Sequence, residues 1–247
     1  MGRVAGAISR IYLDENNMSG RTNNAELAVD LNLPEVTSFS DSAAEFVEGL
    51  YSGKISQNSF FDGASGEIDG EVFSAIGDGN THYLGLYPGN DASHGDIGYE
   101  ATVKSESQPR PIEVAGAVLL NVTWQATGPI VRASVLCNTR ISAAGVVADS
   151  NKNLGTTTSG EVFVAVVRIL DTDYSGGLNM TIEQSSDDGS GDAYATLISF
   201  TNCHVTKAQR KSVSTATEAW KRVNITAVNT GTYADILIVV GKEQGVS

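Results

Sequence analysis

A chain of 247 residues that is 41% hydrophobic, with 26 glycines and only 5 prolines, is too apolar for a disordered polymer and too poor in proline for a collagen-like one. Its formal charge of −13 excludes a protein that coats nucleic acid, because phosphate binding needs clustered lysine and arginine. The charge is uneven: residues 1–100 hold sixteen acidic side chains against Arg3, Arg10, Arg21 and Lys54, whereas residues 101–247 hold thirteen against twelve basic ones. Acidic surface can serve solubility alone, but an asymmetry of this size suggests two parts with different surroundings.

Ile11–Asp14 and Ala25–Asn32 read as an opening pair of strands, the second with apolar residues at alternate positions. Pro34 ends it. Asp41–Leu50 is a short helix or an ordered loop, with Phe46 and Leu50 four residues apart. Lys54–Asp62 alternates again, and Asp69–Ile76 is the one clearly helical stretch, stopped by Gly77 and Gly79. From there the pattern is nearly all strand. His82–Tyr87, Tyr99–Ser107, Ala115–Ala126, Ile130–Cys137, Glu161–Leu170, Leu178–Gln184, Ala195–Asn202, Trp220–Val228 and Tyr233–Val240 are rich in β-branched and aromatic residues, with turn formers between them. Ser142–Gly160 is the longest turn-rich stretch, and a domain boundary is expected there. The fold class is all-β, mainly strand with one short helix, as a β-sandwich or barrel over residues 1–144 followed by a second β-sandwich over 145–247.

No catalytic inventory emerges. His82, His94 and His204 are scattered without metal-ligand spacing, and no Ser or Cys stands in a nucleophile-elbow context. Cys137 and Cys203 are too few for a disulfide framework and sit in apolar runs, which predicts buried thiols. Ser186–Asp192 carries three carboxylates but lacks the spacing of a calcium loop, so it reads as a hairpin turn whose Asp-Gly supplies the positive φ angles. Trp220 and Tyr233 could stack on a sugar, but core packing is the expectation for both. No stretch is apolar enough to span a membrane, and the opening residues lack a signal-peptide core. No cofactor, metal site or enzymatic activity is expected.

One resemblance stands beside this. IYLDENNMSGRTNNAELAVDLNLPEVTSFSDSAAEFVEGLYSGKISQNSFFDG, Ile11–Gly63, resembles the N-terminal half of bacteriophage and prophage tail tube proteins: a short strand, an MSG turn, an AEL strand, a VTSFSD segment, and a GL.SG lead into a strand closing on FFDG. Leu119–Leu136 (LLNVTWQATGPIVRASVL) and Met180–Thr201 (MTIEQSSDDGSGDAYATLISFT) resemble the paired strands that follow in that family. The resemblance implies a structural virion protein, made in the host cytoplasm, whose copies form stacked, hexameric rings around a β-lined channel. Its partners would be itself, tape-measure, tail terminator and tail tip proteins, and phage DNA in transit without specific binding, with no membrane. Lumen-facing candidates are Glu26 and Asp30, which point the same way on one strand, and Glu67, Asp69 and Glu71 near the helix. Candidates for contacts between subunits are Arg3 and Arg10 on the leading arm, and Phe39, Phe46, Leu50 and Tyr87 in loop segments. The segment 145–247 would decorate the outside. Related β-folds also serve as capsid decoration or cement proteins and as head–tail joining proteins, and a carbohydrate-binding β-sandwich is a third reading.

Overall fold

The computed structural model describes residues 9–31, 35, 43, 51–62, 68–89, 91–111, 118–204 and 208–243. In chain order they form β1 (Arg10–Leu13), β2 (Asn16–Asn17), β3 (Thr22–Leu31), β4 (Tyr51–Phe60), helix α1 (Ile68–Ser74), β5 (His82–Tyr87), β6 (Ile97–Ser107), β7 (Leu119–Ala126), β8 (Val131–Ile141), β9 (Gly145–Val146), β10 (Lys152–Asn153), β11 (Phe163–Thr172), β12 (Leu178–Ser185), β13 (Ala195–Cys203), β14 (Gln209–Val213), β15 (Trp220–Val228) and β16 (Ala234–Glu243). The protein is all-β apart from α1 among these residues. Contacts divide it into two compact units: Met1–Gly20, Tyr83–Ala101 and Ile130–Ser247 form the first, Arg21–His82 and Thr102–Pro129 the second. The boundary expected at 144/145 falls inside the first unit. Its cause is pairing: β8, which precedes that point, lies along β16 from Val131 opposite Glu243 to Ile141 opposite Ala234.

The first unit holds a sheet in the order β14, β11, β16, β8, then the start of β6, β5, β1 and β2, and a second sheet in the order β10, β15, β12, β13 with β9 also on β15. Side chains alternate across a strand, so a strand buried on both faces reads as an unbroken apolar run. That is why FVAVVRIL in β11 and ILIVV in β16 lack alternation. Ala165, Val167 and Ile169 of β11 and Ile236 and Ile238 of β16 cluster with Met180 and Ile182 of β12, Phe200 of β13 and Val223 and Ile225 of β15. Val164, Val166, Leu237 and Val239 point the other way and cluster with Tyr12, Tyr87, Val131 and Val135. Each Val, Leu, Ile, Phe or Met among them, fully buried, contributes about 1.5–3 kcal/mol relative to exposure.

Within that second cluster's face lies a charge. Arg168, opposite Leu237 in the β11–β16 pairing, is 0% exposed, and its Nη1 and Nη2 donate to Glu100 Oε1 and Oε2 at 2.8 and 2.7 Å. Its Nε donates to the carbonyl of Asp14 at 2.7 Å and Nη2 also to that of Tyr83 at 3.3 Å, while the Tyr87 hydroxyl donates to Glu100 Oε1. Burial opposes the charge on Arg168, but Glu100 and Tyr87 hold its pKa above the usual value. Two glycines make the room. A Cβ on Gly98 would sit 2.3 Å from Tyr87 Cδ1, and one on Gly85 2.6 Å from Glu100 Oε1.

Between β12 and β13 the SDDGSGD stretch is the expected turn, with Asp188 and Gly189 at φ 62° and 81°. Asp187 is held below the usual carboxylate range by the backbone N–H of Asp192, with that of Gly191 adding to it. Cys137 and Cys203 are buried free thiols, and burial pushes them up to about 12 and about 11. Trp220 and Tyr233 are half-buried and stand outside the buried core, contrary to expectation. The Tyr233 ring lies under the Arg140 guanidinium at 4.1 Å, and its hydroxyl donates to Asp171 at 2.8 Å.

Candidate functional site

In the second unit β3, β4, β7 and the later part of β6 pair antiparallel in that order. One face of the sheet is apolar. Ile55 opposite Trp124 and Gln57 opposite Val122 are buried, with Ser59 opposite Leu120 continuing the row. Gln57, the polar member, is satisfied: its Nε2 donates to Thr22 and Ser59 hydroxyls at 2.8 and 3.1 Å and its Oε1 accepts from Trp124 Nε1 at 3.3 Å. Ile68 and Val72 of α1 are buried as well, and Gln108 Nε2 donates to the Val72 carbonyl at 2.5 Å.

The opposite face is mostly polar, with Ala28 and, at one end, Phe60 opposite Leu119 as its apolar members. By register Asn24 lies beside Asn58 and Asn121, Glu26 beside Ser56 and Thr123, Ala28 beside Lys54, Gln125 and Lys104, and Asp30 beside Ser52. Glu26 and Asp30 are both exposed on this one face, as the four-residue spacing requires. Lys54 pairs with Glu106 at 2.7 Å, so the face carries three carboxylates against two ammonium groups among the described residues. Its hydroxyl and amide side chains can exchange hydrogen bonds with water without presenting a concentrated cationic site.

β3 is the unusual element. It is ten residues long, pairs on one side only among the described residues, and from Thr22 to Asp30 contains no buried residue. Val29 is 53% exposed. A strand that buries so little gains little from its own fold, and its outer edge, unpaired over Ala25–Leu31 among the described residues, is a template for another strand. Glu26 and Asp30 put charge on that edge.

The remaining candidates are dispersed. Asp69 sits in α1 and accepts from Arg110 Nε at 2.8 Å, so its charge is met within the chain. Glu71 is half-buried on the same helix. Glu67, Arg3, Phe39, Phe46 and Leu50 lie outside the described residues. Arg10 is ion-paired with Asp91 at 2.7 Å in the first unit. Tyr87 is a correction: expected as a contact between subunits, it is 0% exposed, with its ring edge-on to Tyr12 and its hydroxyl on Glu100. His82 is half-buried with Nε2 3.2 Å from Asp78 Oδ2, and His94 is exposed. The polar sheet face as a set of Asn, Ser, Thr and Gln escaped the sequence reading, although the alternate positions of KISQNSF and LLNVTWQA encode it.

No family model matches the chain, and no curated protein does. Among solved structures, a chain from the virion of a native gene transfer agent particle is similar at 15% identity and TM-score 0.44, covering 52% of this chain and 97% of that one. A chain of the SPP1 tail tube is similar at 12% and 0.41, covering 51% and 77%. The SPP1 Dit protein, described as a hub adsorption apparatus, is similar at 10% and 0.39, covering 96% and 98%.

Proposed function

We propose that the chain is a structural subunit of a bacteriophage tail, specifically of its tail tube, and that it acts by joining sheet edges to copies of itself. The observation that carries this is β3, a ten-residue strand paired on one side only among the described residues and with no buried residue from Thr22 to Asp30, which offers its outer side to another strand. Repetition around a closed ring satisfies every such edge and limits growth in that direction. The resemblance of Ile11–Gly63 to tail tube proteins gives the same reading from the sequence.

In this reading the polar face bearing Glu26 and Asp30 lines the channel. DNA passing through meets hydroxyls, amides and a small excess of carboxylate, and phosphates find no cationic row to hold them. The subunit performs no chemistry. Stacked rings, tape-measure, terminator and tip proteins are its partners, and the virion is its location. Negative-stain electron microscopy of the purified full chain tests the proposal: rings or tubes are expected as concentration rises, with assembly abolished when Leu27→Pro or Val29→Pro disrupts β3. A chain that stays monomeric at high concentration overturns it.

A further inference from the structure

The first unit contains a cavity of about 230 Å³ between its two sheets' margins, lined by Arg132 and Ser134 of β8, Lys152 of β10, Phe163 of β11 and Lys242 of β16. Three cations converge there in a chain whose net charge is −13. None of the ion pairs among the described residues includes them. Lys152 Nζ donates to the carbonyl of Gly95 at 2.8 Å and Lys242 Nζ to that of Thr156, so each ammonium has spent one of its three donors on a neutral oxygen. Glu161 feels the charge of Lys242, but its carboxylate is already bonded to the N–H and hydroxyl of Thr158.

A fourth cation stands behind these. Lys221 is directly opposite Lys152 in the β10–β15 pairing, is 0% exposed, and lies 5.2 Å above the Phe163 ring. Its ammonium donates to the carbonyl of Glu218. Burial lowers its pKa to about 8, with Glu218 opposing and the charge of Lys242 adding to the fall. Glu161 acts on Lys242 and Glu218 on Lys221, but among the described residues neither carboxylate forms an ion pair with these four cations, which repel one another and raise the local potential, a condition that a bound anion relieves.

We propose that this cavity binds a compact tetrahedral oxyanion of the phosphate or sulfate type, held by Arg132, Lys152 and Lys242 with the Ser134 hydroxyl as a further donor. The volume accommodates such a group together with water. Guanidinium and ammonium groups supply charge-assisted hydrogen bonds, the strongest kind available to this ligand. The site is separate from the assembly edge and does not depend on the tail tube reading.

Isothermal titration of the full chain with orthophosphate, against sodium chloride at matched ionic strength, tests it. Saturable one-to-one binding is expected, weakened about tenfold by Lys242→Met and again by Arg132→Gln. Arg132 is exposed, so its replacement leaves the core intact and keeps the test valid if Lys242→Met perturbs folding. Parallel titrations with dimethyl phosphate and methyl phosphate distinguish a polymer's internal diester from a free or terminal phosphate, and saturable binding of either supports the site. Heats indistinguishable from chloride, or an affinity in both variants unchanged from that of the unmodified chain, overturn it.

Discussion

Replacing Glu100 by Gln leaves the Arg168 guanidinium, 0% exposed, without a counter-charge. Breaking a buried pair by removing one partner costs about 3–5 kcal/mol. The carbonyls of Asp14 and Tyr83 remain as acceptors for Nε and Nη2, so the lower end applies and a loss of about 3 kcal/mol is expected for Glu100→Gln. In a chain of this size each kcal/mol moves Tm by about 2–4 °C, which places the fall at roughly 6–12 °C. Urea unfolding followed by circular dichroism gives the free energy directly, with the midpoint falling at constant m. The paired replacement Glu100→Leu with Arg168→Met removes both charges and is expected to recover most of the loss, because well-packed apolar residues often match a buried pair. A single-variant cost below about 1 kcal/mol, or a double variant as damaged as the sum of the singles, would refute the view that Arg168 depends on Glu100.

Lys221 titrates near 8 folded and 10.5 unfolded, so the unfolded chain binds the extra proton between those values and stability rises with pH across that window, by at most about 3 kcal/mol; Lys221→Met should flatten this rise in pH-dependent urea titrations. Gly98→Ala drives a methyl into the Tyr87 ring and should cost about 1–3 kcal/mol by thermal melt, whereas Gly128→Ala, with nothing within 4 Å, should fall within about 0.5. Cys137 and Cys203, with thiols raised by burial, should resist a disulfide reagent at pH 8 until denaturant is added. Glu26→Lys with Asp30→Lys should leave the melt within about 0.5 kcal/mol, both side chains being exposed, while shifting assembly measured by light scattering.

The sequence exposes whatever is local. β12, its Asp-Gly turn and β13 were readable because apolar content and turn chemistry lie within a few residues of one another. Pairing partners were not. β9 and β10 hide in a stretch that reads as linker, since two-residue strands show no period and exist only because β15 accepts them. β14, QRKSV, is polar because it caps a sheet, and nothing in its own residues announces β11 as its neighbour. Arg168 interrupts an apolar run, and that interruption was the available sign of a buried partner, but Glu100 lies 68 residues away. At the candidate site, the shared side of Glu26 and Asp30 followed from strand geometry alone. The inward turn of Tyr87 did not, because the two glycines that admit its ring, Gly85 and Gly98, act through space.

The position of β16 has a bearing on synthesis. It fills the slot between β11 and β8, yet both of those neighbours emerge from the ribosome well before it. During that interval each presents an open, strongly apolar flank that no earlier segment can occupy. Nascent chains should therefore be most at risk of misassociation while Ala234–Glu243 is still being made, and sequestration by a holdase over that interval would raise yield more than any change to the finished surface.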